Sequence, residues 1–375
     1  MKKFTAGKFD KSDIEISISL SRKNGIRVYL ESSVERIFGN HIENYITNYL
    51  ENSGISSAVV NAKDDGALDF VISSRIDAAL YKQNIKNLRA SSHKRKIKKQ
   101  KKYAFRRTRL YIPGNNPHLI EGCNLFGADV VILDLEDAVS QNEKIDARFL
   151  VRGALNVIDF KQTEVIVRIN PFSNGGIEDL NIVIPALPDA IMLPKTNSAD
   201  DIRQLEAELE RLEKENDIPL KTIKIFPLIE TAQGVLNAQK IATASKRNVM
   251  LTFGAEDFTA DIGVKKTREG TELLLARELI VLAAKAAGIQ ASDTVYSDID
   301  DIEGLIKDTE LSKSLGFDGR GVIHPLQIEP IHNVFAPEAK KRGGGVASLG
   351  RKMIDAPVAK RAKRVLELAK RLSKK

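Results

Sequence analysis

Residues 251–258 read LTFGAEDF: a short apolar run reaches Gly254 and is followed at once by Glu256 and Asp257. The apolar run before it, IKIFPLIET (223–231), stops in the same way on Glu230. Runs this short, apolar on both faces and closed by acids, have the pattern of buried parallel strands whose carboxyl ends carry chemistry. Working outward, the pattern recurs as RLYIPG (109–114), DVVILDLED (129–137), VIVRIN (165–170), AIMLPK (190–195), DTVYSDI (293–299) and GRGVIHP (319–325), which makes eight strands. Between them lie segments of helical period, among them DIRQLEAELERLEKEN (201–216) and ELLLARELIVLAAKAAG (272–288). Strands separated by helices require parallel pairing and crossovers. Eight such units in about 225 residues is the size of a TIM barrel. An open doubly wound sheet is the rival, but no glycine-rich dinucleotide fingerprint follows the first strand.

A barrel gathers its strand ends into one mouth. Asp134, Glu136, Asp137, Arg168, Asn170, Lys195, Glu230, Glu256, Asp257, Ser297, Asp298 and His324 all fall at such ends. Several carboxylates in one cavity raise each other's pKa unless a cation compensates. Mg²⁺ suits one or two carboxylates with retained waters, and one histidine without cysteine argues against zinc. Taken singly, Glu230 or Asp257 reads equally well as a helix cap; at successive strand ends the pair reads as metal ligands. Arg168 suits a substrate carboxylate, or pairs structurally with Glu136. A metal beside an arginine favours C–C bond cleavage or formation through an enolate. Lys195 reads as a solvated cation, His324 as a loop hydrogen-bonder or a catalyst, and Cys123 as a buried thiol.

The whole chain has 375 residues, 42% hydrophobic, with a net charge of +8 and one cysteine. That size fits two or three domains, and the lone cysteine excludes a disulfide framework and points to a reducing, cytoplasmic compartment. MKKFTAGKFDKSD (1–13) lacks the apolar core of a secretory signal, and no run approaches a membrane span. Much of the basic excess sits in HKRKIKKQKKYAFRRTR (93–109). The block reads as a solvated linker, or as the nucleic-acid contact of a non-enzymatic protein. Residues 1–88 form a separate α+β module: strands at DIEISISL (13–20) and IRVYLES (26–32) joined by an Asn24-Gly25 hairpin, a helix over 34–52, and strands at SSAVVNA (56–62) and DFVISSR (69–75). The expected organisation is therefore module 1–88, basic linker 89–105, barrel 106–335 and C-terminal arm 336–375.

RTRLYIPGNNP, ADVVILDLEDAVSQNEKIDAR, VIVRIN, LPKT, IETAQGV, FGAEDF, EGTELLLAR, AAGIQASDTVYSD, LGFDGRGVIHPLQI and GRKMIDAPVAKRA follow one another over nearly all of 106–370. In that order they resemble the citrate lyase β-subunits of the HpcH/HpaI aldolase superfamily. The resemblance implies an α/β (β/α)8 barrel enzyme, a Mg²⁺-dependent carbon–carbon lyase with the metal on Glu230 and Asp257. It implies Arg168 as a catalytic and substrate-binding residue, Arg109 and Asp137 as further substrate contacts, and Glu136 among the catalytic residues behind the metal. Asp355, in RKMIDAPVAKRA, matches an acid–base aspartate delivered to a neighbouring subunit, which implies a homo-oligomer. Between Pro337 and Gly350 the family has a further helix, where this chain has EAKKRGGGVASL.

ESSVERIFG (31–39) and DDGALDFVISSRIDAAL (64–80) are similar to the citrate lyase γ-subunit, an acyl carrier protein. That implies a phosphoribosyl-dephospho-CoA arm on a serine near the N-terminus, making the chain a phosphoprotein. In GKFDKSD (7–13) Lys11 stands at the usual attachment position and Ser12, one place on, is the expected site. The implied reaction is cleavage of a citryl thioester on the carrier to an acetyl thioester and oxaloacetate. A citrate lyase α-subunit would load the carrier. Citramalyl- or malyl-thioester cleavage by the same chemistry is the alternative.

Overall fold

The protein is represented by a computed structural model that describes residues 4–21, 25–85, 95 and 104–336. Its N-terminal domain contains β1 (Phe4–Ala6), β2 (Ile14–Leu20), β3 (Gly25–Ser32), α1 (Glu35–Asn52), β4 (Ser57–Asp64) and α2 (Asp69–Tyr81), with sheet order β1-β2-β4-β3. Alternate residues of β2, Ile14, Ile16 and Ile18, are buried with Ile42, Ile46 and Leu50 of α1 and Ile72 and Ile76 of α2.

Two readings of this domain are corrected. β2 and β3 do not form a hairpin: each flanks β4, β2 antiparallel and β3 parallel, and α1 provides the crossover the parallel pair requires. DFVISSR is helix, not strand. Between the sheet and a barrel helix, α2 is buried nearly all round, so no amphipathic stripe distinguishes it from a core strand.

The second domain is a closed parallel barrel of β5 (Thr108–Pro113), β6 (Val130–Asp134), β7 (Glu164–Arg168), β8 (Ala190–Leu193), β9 (Lys224–Ile229), β10 (Met250–Phe253), β11 (Gln290–Asp293) and β12 (Gly319–Val322). Its helices are α3 (Pro117–Glu121), α4 (Lys144–Val157), α5 (Gly176–Val183), α6 (Ala199–Glu215), α7 (Ala232–Leu236), α8 (Ala238–Thr243), α9 (Ala255–Asp261), α10 (Leu274–Ala286), α11 (Ile302–Leu315) and α12 (Ile328–Val334). α6 starts on a capping box: Ser198 Oγ accepts from Asp201 N, and Asp201 accepts from Ser198 N.

The seventh strand is QASD (290–293), not DTVYSDI. It is short and mostly polar because Asp293 turns outward to Ser312 (2.6 Å) and Arg277, so no apolar alternation marks it. Inside the barrel, Val130, Ile132, Ile166, Ala190, Met192, Phe226, Leu228 and Met250 form a closed layer. With the period of two in a strand, the next inward positions above them are Asp134, Arg168 and Glu230, which floor the mouth.

The two domains share their cores. Phe70 and Val71 of α2 belong to the barrel–helix core, while Phe149 of α4 and Ile182 of α5 belong to the sheet core. α2 runs antiparallel to α4 and lies close at Gly153, where a Cβ would overlap Ser74 Oγ. Arg75, 2% exposed, binds both oxygens of buried Asp13 at 2.8 Å and donates to Asp146 O (3.3 Å). Lys82 pairs with Asp146 at 2.5 Å, and Asp77 takes Tyr49 Oη (2.9 Å) and Arg152.

The described arginines of the basic block face inward. Arg95 donates to Leu187 O (2.8 Å) and Asp189 (3.2 Å), Arg106 pairs with Glu164 (2.5 Å), and Arg107 pairs with Asp129 (2.7 Å). Guanidiniums committed to internal carboxylates are poor phosphate ligands, which counts against the nucleic-acid reading. Among the described residues no helix is long and apolar enough to cross a membrane.

Candidate active site

The register Asp134↔Arg168 sets these two inward side chains beside each other. Arg168 Nε and Nη2 each donate to an Asp134 carboxylate oxygen at 2.6 Å, a bidentate fork. Its Nη1 lies 2.8 Å from Glu136 Oε2, and the guanidinium rests 5.3 Å over the Tyr111 ring. Of the two readings of Arg168, the structure shows the pairing, extended from Glu136 to Asp134.

Glu136 is 3% exposed, and neither carboxylate oxygen has an aligned hydrogen-bond donor among the described residues. Burial pushes it up to about 7 against the pull of Arg168, and Asp137 adds repulsion. Asp137 is more exposed and 3.8 Å from Arg168. Lys144, a residue the sequence did not single out, anchors this turn by donating from Nζ to Leu135 O (2.7 Å) and Glu136 O (2.6 Å). Its signal was a lysine eight residues after Glu136 in the first turn of the following helix, which alone looks like surface charge.

Glu230, 1% exposed, follows β9. Burial, then the charges of Glu136 and Asp257, raise it to about 8. Its Oε1 accepts from Lys195 N at 2.6 Å. A Cβ on Gly254 would lie 2.7 Å from Oε2, so glycine at the end of β10 leaves room beside this carboxylate. Asp257 is partly buried in the first turn of α9 and acts electrostatically on both Glu230 and Lys195.

The donor set suits Mg²⁺: two carboxylates from successive strand ends, one of them buried beside other acids and with clearance next to it. Among the described residues no three His, Cys, Asp or Glu form a metal cage.

The remaining expected residues separate. Glu256 is exposed and takes Lys266 Nζ (2.7 Å) and Ser297 Oγ (2.8 Å), so it braces the rim. Asp298 pairs with Arg268 at 3.3 Å on the exposed loop after β11. His324 Nδ1 accepts from Leu326 N (3.3 Å), the loop role. Arg109 is corrected: it pairs in register with Val130, four residues or about 13 Å below Asp134. Buried and donating to Asp293 O (3.2 Å), it fills the barrel interior and does not face the mouth. Ser12, at φ +61, lies in the loop before β2 with Oγ 3.4 Å from His118 Nδ1 of α3. Asp355 lies outside the described residues.

Residues 107–325 match the family described as HpcH/HpaI aldolase/citrate lyase, and residues 1–83 match that described as malonate decarboxylase delta subunit (MdcD). Citrate lyase subunit beta of Leuconostoc mesenteroides subsp. cremoris is 42% identical over 285 residues, 71% of this chain and 93% of that one. The mitochondrial citramalyl-CoA lyase of Homo sapiens is 33% identical over 301 residues, 73% of this chain and 88% of that one. Protein CitE from Mycobacterium tuberculosis, solved with magnesium, acetoacetate and coenzyme A, has a TM-score of 0.56 at 30% identity, covering 71% of this chain and 98% of that one.

Proposed function

Since the chain belongs to the HpcH/HpaI aldolase/citrate lyase family, we propose that it is a Mg²⁺-dependent lyase cleaving a citryl thioester to an acetyl thioester and oxaloacetate. The observation that carries this reading is the meeting of Glu230 and Asp257 with the Arg168–Glu136 pair at one strand-end mouth. When held by Glu230 and Asp257, Mg²⁺ supplies a Lewis acid for charge developing on substrate oxygen. Arg168, immobilised by Asp134, presents Nη1 to the same charge without reorganising. Glu136, with both oxygens free of aligned donors, is the base for the tertiary hydroxyl proton, whose removal drives C–C cleavage. Asp137 contacts substrate from the rim. Asp355 of a neighbouring copy returns a proton to the enolate carbon, so the active unit is a homo-oligomer. A citrate lyase α-subunit is the proposed partner that loads citrate onto the carrier.

The N-terminal domain is read as the carrier, with the phosphoribosyl-dephospho-CoA arm on Ser12. Docking supports this placement: Lys8 pairs with Glu143, Gly7 N donates to Asp146 (3.1 Å), and Ser12 meets His118. All three partners lie on segments following β5 and β6, beside the mouth.

The decisive assay incubates the full chain with Mg²⁺ and citryl-CoA and measures oxaloacetate, with citramalyl-CoA (pyruvate) and malyl-CoA (glyoxylate) in parallel. Oxaloacetate as the fastest product is expected; faster pyruvate or glyoxylate shifts the substrate within the family, and no product from any overturns the lyase reading. After co-expression with the maturation enzymes, intact mass should show the arm, lost in Ser12→Ala. An unmodified wild-type chain refutes the carrier assignment.

A further inference from the structure

Lys195 is held in the mouth by an unusual backbone. It follows Pro194 at the end of β8 with φ +48, a left-handed conformation that a β-carbon disfavours. The turn is fixed on both sides: Lys195 N donates to Glu230 Oε1 (2.6 Å), Thr196 N to Leu228 O (3.1 Å), and Thr196 Oγ1 to Leu193 O (2.9 Å). Strain retained by this many bonds points to a required side-chain direction. That direction takes the ammonium to within 3.5 Å of Glu136 Oε1, in a mouth whose acids hold it above the usual lysine value against the effect of burial.

The two mouth cations are not equivalent. Arg168 is 11% exposed, with Nε and Nη2 committed to Asp134 and Nη1 paired in charge with Glu136. Lys195 is 44% exposed, longer and more flexible, and its single contact to Glu136 is at ion-pair distance. A ligand carboxylate entering the mouth meets one cation already held in a fork and another free to turn.

On the lyase reading above, we propose that Lys195 is a substrate-binding residue that leaves Glu136 to take a carboxylate of the incoming hydroxy-acid thioester. It is best suited to the carboxymethyl group that a citryl unit carries where a citramalyl unit has methyl. Two consequences follow. Lys195 discriminates between these substrates, and its departure frees Glu136 from one of its two cations.

The test uses the full chain with Lys195→Gly. Glycine tolerates positive φ and retains the N–H bonded to Glu230, so only the ammonium arm is lost. KM for citryl-CoA should rise about tenfold or more, the scale of one charge-assisted hydrogen bond, with a smaller change in kcat. KM for citramalyl-CoA should change by less than about twofold. Mg²⁺ binding, followed by calorimetry without substrate, should tighten, because a cation has left the acids that hold the metal. Lys195→Arg should recover most of the citryl-CoA KM.

An unchanged citryl-CoA KM, equal losses on both substrates, or weaker Mg²⁺ binding each overturns the proposal; the last two would mark the residue as structural. If the wild type turns over no thioester, the lyase reading fails separately. The calorimetric arm then still decides whether Lys195 balances the acids.

Discussion

Glu230→Gln will leave the barrel folded while removing Mg²⁺ binding and about 10³-fold or more of kcat, the scale lost when an electrostatic stabiliser of the transition state is deleted. The substitution is nearly isosteric, and glutamine Oε1 can still accept the Lys195 N–H that Glu230 now accepts. The crowding of Glu230 by Glu136 and Asp257 is relieved, so the metal-free variant should melt no lower than wild type at neutral pH. Loss of function with undiminished stability separates a ligand from a structural acid. Calorimetry for Mg²⁺, differential scanning calorimetry and the oxaloacetate assay read the three quantities. An undiminished rate in this variant would refute the metal assignment.

Glu230 and its neighbours on the inward columns were legible because strand parity is local. Asp134, Arg168 and Glu230 each continue an alternating inward column, and the sequence shows both the apolar run and its charged end. Arg109 shares that inward parity, but parity says nothing about height; only the register with Val130 shows it near the floor of the barrel. Lys195 is partly exposed, as a solvated cation would be, but the approach of its ammonium to Glu136 depends on one positive φ and on Glu230, 35 residues later, which the local sequence does not show. β11 was displaced because its four residues bury short polar groups that serve α10 and α11. α2 was read as strand because its second face is covered by α4, a helix more than 60 residues away. Wherever burial comes from a distant element, the local period is erased.

The same erased period leads to the second large effect. Arg75→Met will cost about 3–5 kcal/mol, the range for stranding one member of a buried ion pair. Asp13 is 3% exposed and takes both of its Arg75 bonds at 2.8 Å, so without the guanidinium it keeps a buried charge that has lost its ion-pair partner. Arg75 also reaches across to Asp146 O, so the damage falls on the seam between the domains. Because the domains exchange core residues, wild type should melt in one cooperative transition; Arg75→Met should lower or split it. Asp13→Asn on top of Arg75→Met should recover much of the loss, since removing both charges is far cheaper than removing one. Single-mutant and double-mutant curves that coincide would sink this account.

A second ion pair on the seam gives the sign of the pH dependence. Burial raises Asp77 to about 6 from 3.8, despite Arg152 and Tyr49. The folded state therefore binds this proton more tightly than the unfolded state. Its stabilising contribution is complete below the unfolded value and fades as pH rises through 6, about 1 kcal/mol between pH 5 and 7. Asp77→Asn should remove that slope from the melting temperature. The seam also positions Ser12 beside His118, and so beside the mouth. Arg75→Met should accordingly slow cleavage of a thioester carried on the chain's own arm more than cleavage of free citryl-CoA, since only the carried substrate depends on docking for its effective concentration. Equal slowing of both would show that the seam supports the barrel itself and does not deliver the carried substrate.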